Sequence, residues 1–156
     1  MSIAGVNRFD EVPFARRGLR NFPAVIRHAE SLIRRFDVRT PSVQRRTNTL
    51  SGGNKQKVVV ARELGHHTRL VVANQPTRGV DVGSIEFIHN QLLAARDAGS
   101  AVLLVSAELD EILSLSDRVA VMSEGRVAAI LTMAELARPE ASRERIGLLM
   151  AGSPED

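Results

Sequence analysis

A chain of 156 residues, 44% apolar and 25% charged, is long enough for one domain with a modest core and too hydrophobic to be a disordered segment. It has no cysteine, which excludes disulfides and thiolate metal sites, and no apolar run near the about eighteen residues that cross a bilayer as a helix. The net charge is +3 and aromatics are 3% of residues, without Trp or Tyr, so neither a basic footprint nor a stacking surface for nucleic acid is supplied.

Residues 1–22 carry Arg16-Arg17-Gly18-Leu19-Arg20 and Pro13 but no apolar period, and an irregular segment is expected there. Met1 to Asp10 also lacks the charged and apolar regions of a signal peptide. From Pro23 to Phe36, Val25, Ile26, Ala29, Leu32, Ile33 and Phe36 recur at helical spacing, with Pro23 suited to a first turn, which predicts an amphipathic helix. Asp37 to Asn48 is a polar connection interrupted by Pro41.

Leu50-Ser51-Gly52-Gly53-Asn54-Lys55-Gln56-Lys57 opens the next predicted helix, Gly53 to Leu64, which Gly65 ends. A hydroxyl and two glycines at a helix start form an anion nest, because the first backbone N–H groups lack intrahelical partners and carry partial positive charge. Ser before a Gly pair is equally an ordinary N-cap after a turn. Lys55, Gln56 and Lys57 read as a solvated face. His66-His67 reads as a polar turn, since adjacent histidines point to different sides and no third metal ligand accompanies them.

Leu70 to Ala73 and Ala101 to Val105 are short runs apolar on both faces, as in buried parallel strands. Between them Gly83 to Ala98 places Ile85, Ile88, Leu92 and Ala95 on one stripe, so the economical topology is a right-handed strand, helix, strand unit. Glu108 to Leu115 reads as a short helix. Arg118 to Met122 and Val127 to Leu131 form a hairpin around Ser123-Glu124-Gly125-Arg126. Thr132 is placed to cap a turn before Pro139, and Ser142 to Met150 to form another helical piece.

The order of these elements, with Gln75-Pro76-Thr77-Arg78-Gly79-Val80-Asp81 after the first strand and Ser106-Ala107-Glu108-Leu109-Asp110-Glu111 after the second, resembles the second half of an ATP-binding cassette (ABC) ATPase domain. The phrases Phe36-Asp37-Val38-Arg39-Thr40-Pro41-Ser42 and Ala73-Asn74-Gln75 are similar to the C-terminal cassette of tandem ABC proteins that energise sugar or nucleoside import, the nucleoside branch more closely. The resemblance implies an α/β fold, a partial P-loop NTPase domain with mostly parallel buried strands and flanking helices. Residues 23–131 would be the C-terminal half of the cassette and 132–156 a helical extension. The Walker A half is missing: a P-loop needs G-x-x-x-x-G-K-[ST], and the chain's two lysines, Lys55 and Lys57, neither follow a glycine nor precede Ser or Thr.

In this resemblance Ser51, Gly52, Gly53 and Asn54 are the signature motif, which closes over ATP and magnesium held by a facing cassette, and Asp81 ends the D-loop at the same interface. The positions at which such enzymes carry a magnesium-ordering Asp, a water-polarising Glu and a phosphate-sensing His hold Asn74, Gln75 and Ala107. An amide cannot ionise and alanine has no functional group, so this site is not expected to hydrolyse ATP by the family mechanism. The family further implies a second cassette, transmembrane permease subunits and an external solute-binding protein as partners, no nucleic acid, and a cytoplasmic place on the inner face of the membrane. Two alternatives stand beside this reading: a stand-alone, non-hydrolysing interaction module or truncated-gene remnant, and a soluble ABC ATPase of DNA repair or translation, which the scattered arginines disfavour.

Overall fold

The computed structural model describes residues 12–16, 19–136 and 139–152. The irregular segment expected over residues 1–22 lies outside the described residues up to 11 and at 17 and 18. Its described remainder forms a small antiparallel ladder, β1 (Ala15–Arg16) with β2 (Leu19–Arg20). That pairing is too short to leave an alternating apolar pattern in the sequence.

Helix α1 (Phe22–Arg35) starts where Asn21 accepts the Ala24 N–H at 3.2 Å and Pro23 sets the first turn. Arg34 and Arg35 in its last turn oppose the negative end of the helix dipole. Ala24, Val25 and Ala29 pack with Phe14, and Phe36 is fully buried. A 3-10 turn, Thr47–Thr49, leads into α2 (Gly52–Leu64), which packs between α1 and α3 (Val82–Asp97). Strands β3 (Leu70–Asn74) and β4 (Ala101–Val105) flank α3 in the chain and pair with each other. Their bonds, Ala101 N–H to Arg69 O at 3.0 Å and Gln75 N–H to Val105 O at 2.8 Å, advance along both strands together, as in a parallel pair.

The expectation that these strands are buried on both faces is not met. Leu70, Val72, Leu103 and Val105 are 59%, 61%, 54% and 46% exposed, alternating with half-buried neighbours. Runs that are apolar on both faces need cover on both, and among the described residues each strand has only the other as a sheet neighbour.

The described residues pack as two compact units. One takes those up to Val71 together with Pro76–Leu103, and the other takes Val72–Gln75 with those from Leu104 onward. In the second unit, α4 (Leu109–Leu115) precedes a hairpin of β5 (Arg118–Ser123) and β6 (Arg126–Thr132), followed by α5 (Pro139–Met150). Glu124 and Gly125 turn the hairpin with φ of 48° and 74°, the two positive angles of the turn whose twist matches paired strands. A bulge after Val121 moves the register so that Met122 faces Val127.

Val119, Val121 and Leu131 from the hairpin pack with Leu136, Ile146 and Leu149, so the segment after Thr132 covers one hairpin face. The turn expected at Thr132 forms, but its polar tie runs the other way: Thr132 donates its N–H and hydroxyl to Glu135 Oε2 at 2.8 and 2.7 Å, and its carbonyl accepts the Glu135 N–H at 3.0 Å.

The alternation on β6 is testable. Leu131, 2% exposed, is expected to cost about 2–5 kcal/mol as Leu131→Ala in urea unfolding. Its neighbour Ile130, 54% exposed on the opposite face, is expected to stay within about 1 kcal/mol of the parent as Ile130→Ala.

Candidate functional site

Ser51 stands outside the first turn of α2 with extended backbone (φ −62°, ψ 163°) and caps the helix, its Oγ accepting the Asn54 N–H at 3.4 Å. The Asn54 side-chain Nδ2 donates to the same oxygen at 3.0 Å, and Asn54 Oδ1 accepts the Arg39 N–H at 2.7 Å. Ser51 and Gly52 are exposed, whereas Gly53 is buried. Both meanings of this motif in the sequence are therefore compatible with one geometry: a capped helix whose positive end faces solvent.

The two glycines have different reasons to be glycine. A Cβ on Gly53 would overlap Ser84 Oγ and lie 2.5 Å from Asp81 Oδ2, so the start of α2 can pass the start of α3 only without a side chain. A Cβ on Gly52 would meet nothing nearer than Gly79 O at 3.4 Å, an ordinary contact. Packing within the chain thus demands Gly53 and leaves Gly52 free for a close approach from outside.

Asp81 caps α3, accepting the Ser84 N–H on Oδ1 at 3.0 Å and the Ser84 hydroxyl on Oδ2 at 2.9 Å. Those two bonds from Ser84 hold its carboxyl below the ordinary value of 3.8, with a smaller push from the charge of Lys57. The structure therefore brings Gly53 and Asp81 into one place. Gln56 adds a tie from the same helix turn, its Nε2 donating to Pro76 O at 2.7 Å.

Lys57 corrects the reading of a solvated face. It is 8% exposed, its Nζ donates to the Asp37 carboxylate at 2.8 Å and carbonyl at 3.1 Å, and it lies 4.7 Å from the Phe87 ring centroid. Its hydrogen bond and charge hold the Asp37 carboxyl below 3.8. The spacing of Asn54 and Lys57, one turn apart, was the available signal that the two share a helix face.

Asn74 is the last residue of β3 and exposed, Gln75 follows with φ of 49°, and Ala107 lies exposed two residues beyond β4. A non-glycine residue in the left-handed region costs on the order of 1–3 kcal/mol, so the bend at Gln75 is imposed by its surroundings. These positions, in or adjoining the second unit, present amides and a methyl group and no carboxylate or imidazole. His66 and His67 are exposed at their turn. No helix among the described residues is long and apolar enough to cross a membrane.

No protein-family model matches the chain. It is 47% identical over 141 residues to the guanosine import ATP-binding protein NupO of Bacillus subtilis and 43% identical over 141 residues to the nucleoside import ATP-binding protein NupA of Lactococcus lactis. Each alignment covers 90% of this chain but 27% of the relative, so the chain spans about a quarter of their length. The glucose import ATP-binding protein TsgD13 of Haloferax volcanii is 44% identical over 154 residues, 97% of this chain and 27% of that protein. In fold, a dimeric bacterial ABC transporter cassette superposes with a TM-score of 0.64 at 23% identity, over 76% of this chain and 51% of that one.

Two substitutions separate the roles of the glycines. Gly53→Ala is expected to destabilise by about 1–3 kcal/mol in urea unfolding through overpacking, while Gly52→Ala leaves the midpoint unchanged or slightly raised. A third concerns acid. A carboxyl with a lowered folded pKa contributes stability in full above its unfolded value and loses it as pH falls through the folded one. Asp81→Asn is therefore expected to reduce the drop in urea midpoint on acidification below about pH 4. By sequence the chain is a relative of the nucleoside and sugar import ATP-binding proteins over about a quarter of their length, and its fold is that of about half of a solved ABC transporter cassette.

Proposed function

We propose that the chain is the C-terminal part of the second cassette in a tandem ATPase subunit of a nucleoside or simple-sugar importer, where it lends its signature turn to ATP held by the facing cassette. The observation that carries this is the Ser51–Gly52 turn, exposed at the positive end of α2, in a chain whose sequence relatives are import ATP-binding proteins. Residues 23–131 are the cassette half and 132–156 its extension.

ATP, when bound, supplies the phosphoanhydride bond whose cleavage drives transport. Ser51, Gly52, Gly53 and Asn54 build the turn that faces the terminal phosphate. The Ser51 oxygen already accepts from Asn54, so its proton is left to donate outward, beside the backbone N–H groups that open the helix. Such donors count most where negative charge develops on the transferring phosphoryl group. Asp81, by capping α3 against Gly53, holds the D-loop in register with that turn.

The chain's own strand ends are read as non-hydrolysing. Asn74 and Gln75 offer neutral amides where magnesium favours anionic oxygen, so the donor set does not fit a magnesium site of its own, and the ion belongs with the partner's nucleotide. Gln75 cannot accept a proton from water at neutral pH, and Ala107 offers no imidazole. Permease subunits, an external solute-binding protein and a place on the inner face of the membrane complete the reading. The exposed apolar residues of β3 and β4 support further chain over them, in preference to a stand-alone module.

The test is ATP turnover by the native assembly purified from its source cells. Ser51→Arg is expected to lower kcat by about 100-fold or more, the scale of a lost oxyanion-type donor, and Gln75→Ala to change it by no more than about twofold. Unchanged turnover in the Ser51 variant, or its abolition in the Gln75 variant, refutes the assignment. The intact mass of the native polypeptide is expected to exceed 17.0 kDa, and a species at 17.0 kDa favours the stand-alone module.

A further inference from the structure

Two side chains on one face of α2 reach the same short stretch of chain, the exit from α1. Asn54 Oδ1 accepts the Arg39 N–H, and one turn later Lys57 Nζ donates to both the carboxylate and the carbonyl of Asp37. Asp37 has a φ of 45°, the left-handed conformation that ends a helix, here in a residue that has a Cβ. A buried ammonium is costly unless its hydrogens are used. Lys57 uses them on Asp37 and lays its charge against Phe87 of α3, so one cation joins α1, α2 and α3.

The other end of the Asn54 amide reaches Ser51. With its oxygen turned to Arg39 the amide can offer Ser51 only N–H, and the Asn54 backbone offers a second N–H to the same Oγ. A hydroxyl oxygen that accepts twice has only its proton left, and that proton points away from both donors. The orientation of the Ser51 hydroxyl is therefore set by Asn54, and that of Asn54 by the α1 exit that Lys57 holds.

We infer that Asn54 and Lys57 are positioning residues: together they fasten the Ser51 turn to Asp37–Arg39 and aim the Ser51 proton outward. This rests on the reading of Ser51 as a donor to a nucleotide held by a partner cassette.

The experiment uses the native assembly with Ser51→Ala, Asn54→Asp and their double variant, with circular dichroism melts to establish folding. Aspartate at position 54 still accepts from Arg39 but has no side-chain N–H for Ser51, whose proton then turns inward to the carboxylate. Ser51→Ala and Asn54→Asp are each expected to lower kcat by about tenfold or more with the KM for ATP within about twofold, and the double variant to be no slower than either. A fall for Ser51→Ala with an unchanged Asn54→Asp, or losses that multiply in the double variant, overturns the positioning role alone. An unchanged Ser51→Ala overturns the functional reading and this inference with it. Should Asn54→Asp not fold, Lys57→Met and Lys57→Arg decide: a kcat loss of about tenfold in the first and recovery to within about threefold in the second are expected, and equal rates in both overturn the role.

Discussion

The start of α2 and the start of α3 meet at one residue without a side chain. Gly53 passes so close to the Asp81–Ser84 cap that the two helix termini share a single packed point. Because Asp81 is held by Ser84 and the Ser51 cap lies two residues before Gly53, the loop that precedes α2 and the loop that precedes α3 have fixed places relative to each other. A helix terminus is a weak and common electrostatic feature. What distinguishes this one is that Gly53 packs directly against the Asp81–Ser84 cap of the next helix.

Among its described residues the same unit buries one charged side chain, Lys57. The sequence has two lysines among 21 basic residues, and one of the two is buried. Arg34 and Arg35 of α1 serve its C-terminal end, while Lys57 acts as a joint between helices. In the second unit two ion pairs, Arg143 with Asp110 and Arg145 with Glu135 at 3.9 Å, lie toward the surface, and the hairpin packs its apolar face with Leu136, Ile146 and Leu149. Exposed pairs of this kind contribute little, so the Leu131 side of the hairpin holds that unit together.

Most element positions are legible in the sequence, because the apolar periods of α1 and α3, the Gly65 stop and the Glu124-Gly125 turn are local signals that tertiary packing did not override. Ser51 and Asp81 are legible as caps and, by resemblance, as parts of two motifs at one interface, but nothing local says that Gly53 packs against the Asp81 cap. Lys57 was misread because a lysine near a helix start is usually solvated, and its partners, Asp37 and Phe87, lie 20 and 30 residues away in the sequence. The burial of β3 and β4 was misjudged for a different reason. Apolar character on both faces records what a strand needs for cover, and the described residues supply only part of it.

The burial of Lys57 also changes how the chain can be handled chemically. With Lys57 enclosed, Lys55 is the one solvent-facing lysine amine, and it stands four residues after Ser51 on the first turns of α2. Among the lysines of this chain, acylation should therefore place a dye or spin label at Lys55, beside the Ser51 turn, without a cysteine being introduced, and modification of Lys57 would follow only when the joint between α1, α2 and α3 opens. The ratio of the two modified products then reports the opening of that joint in a form that mass spectrometry can count.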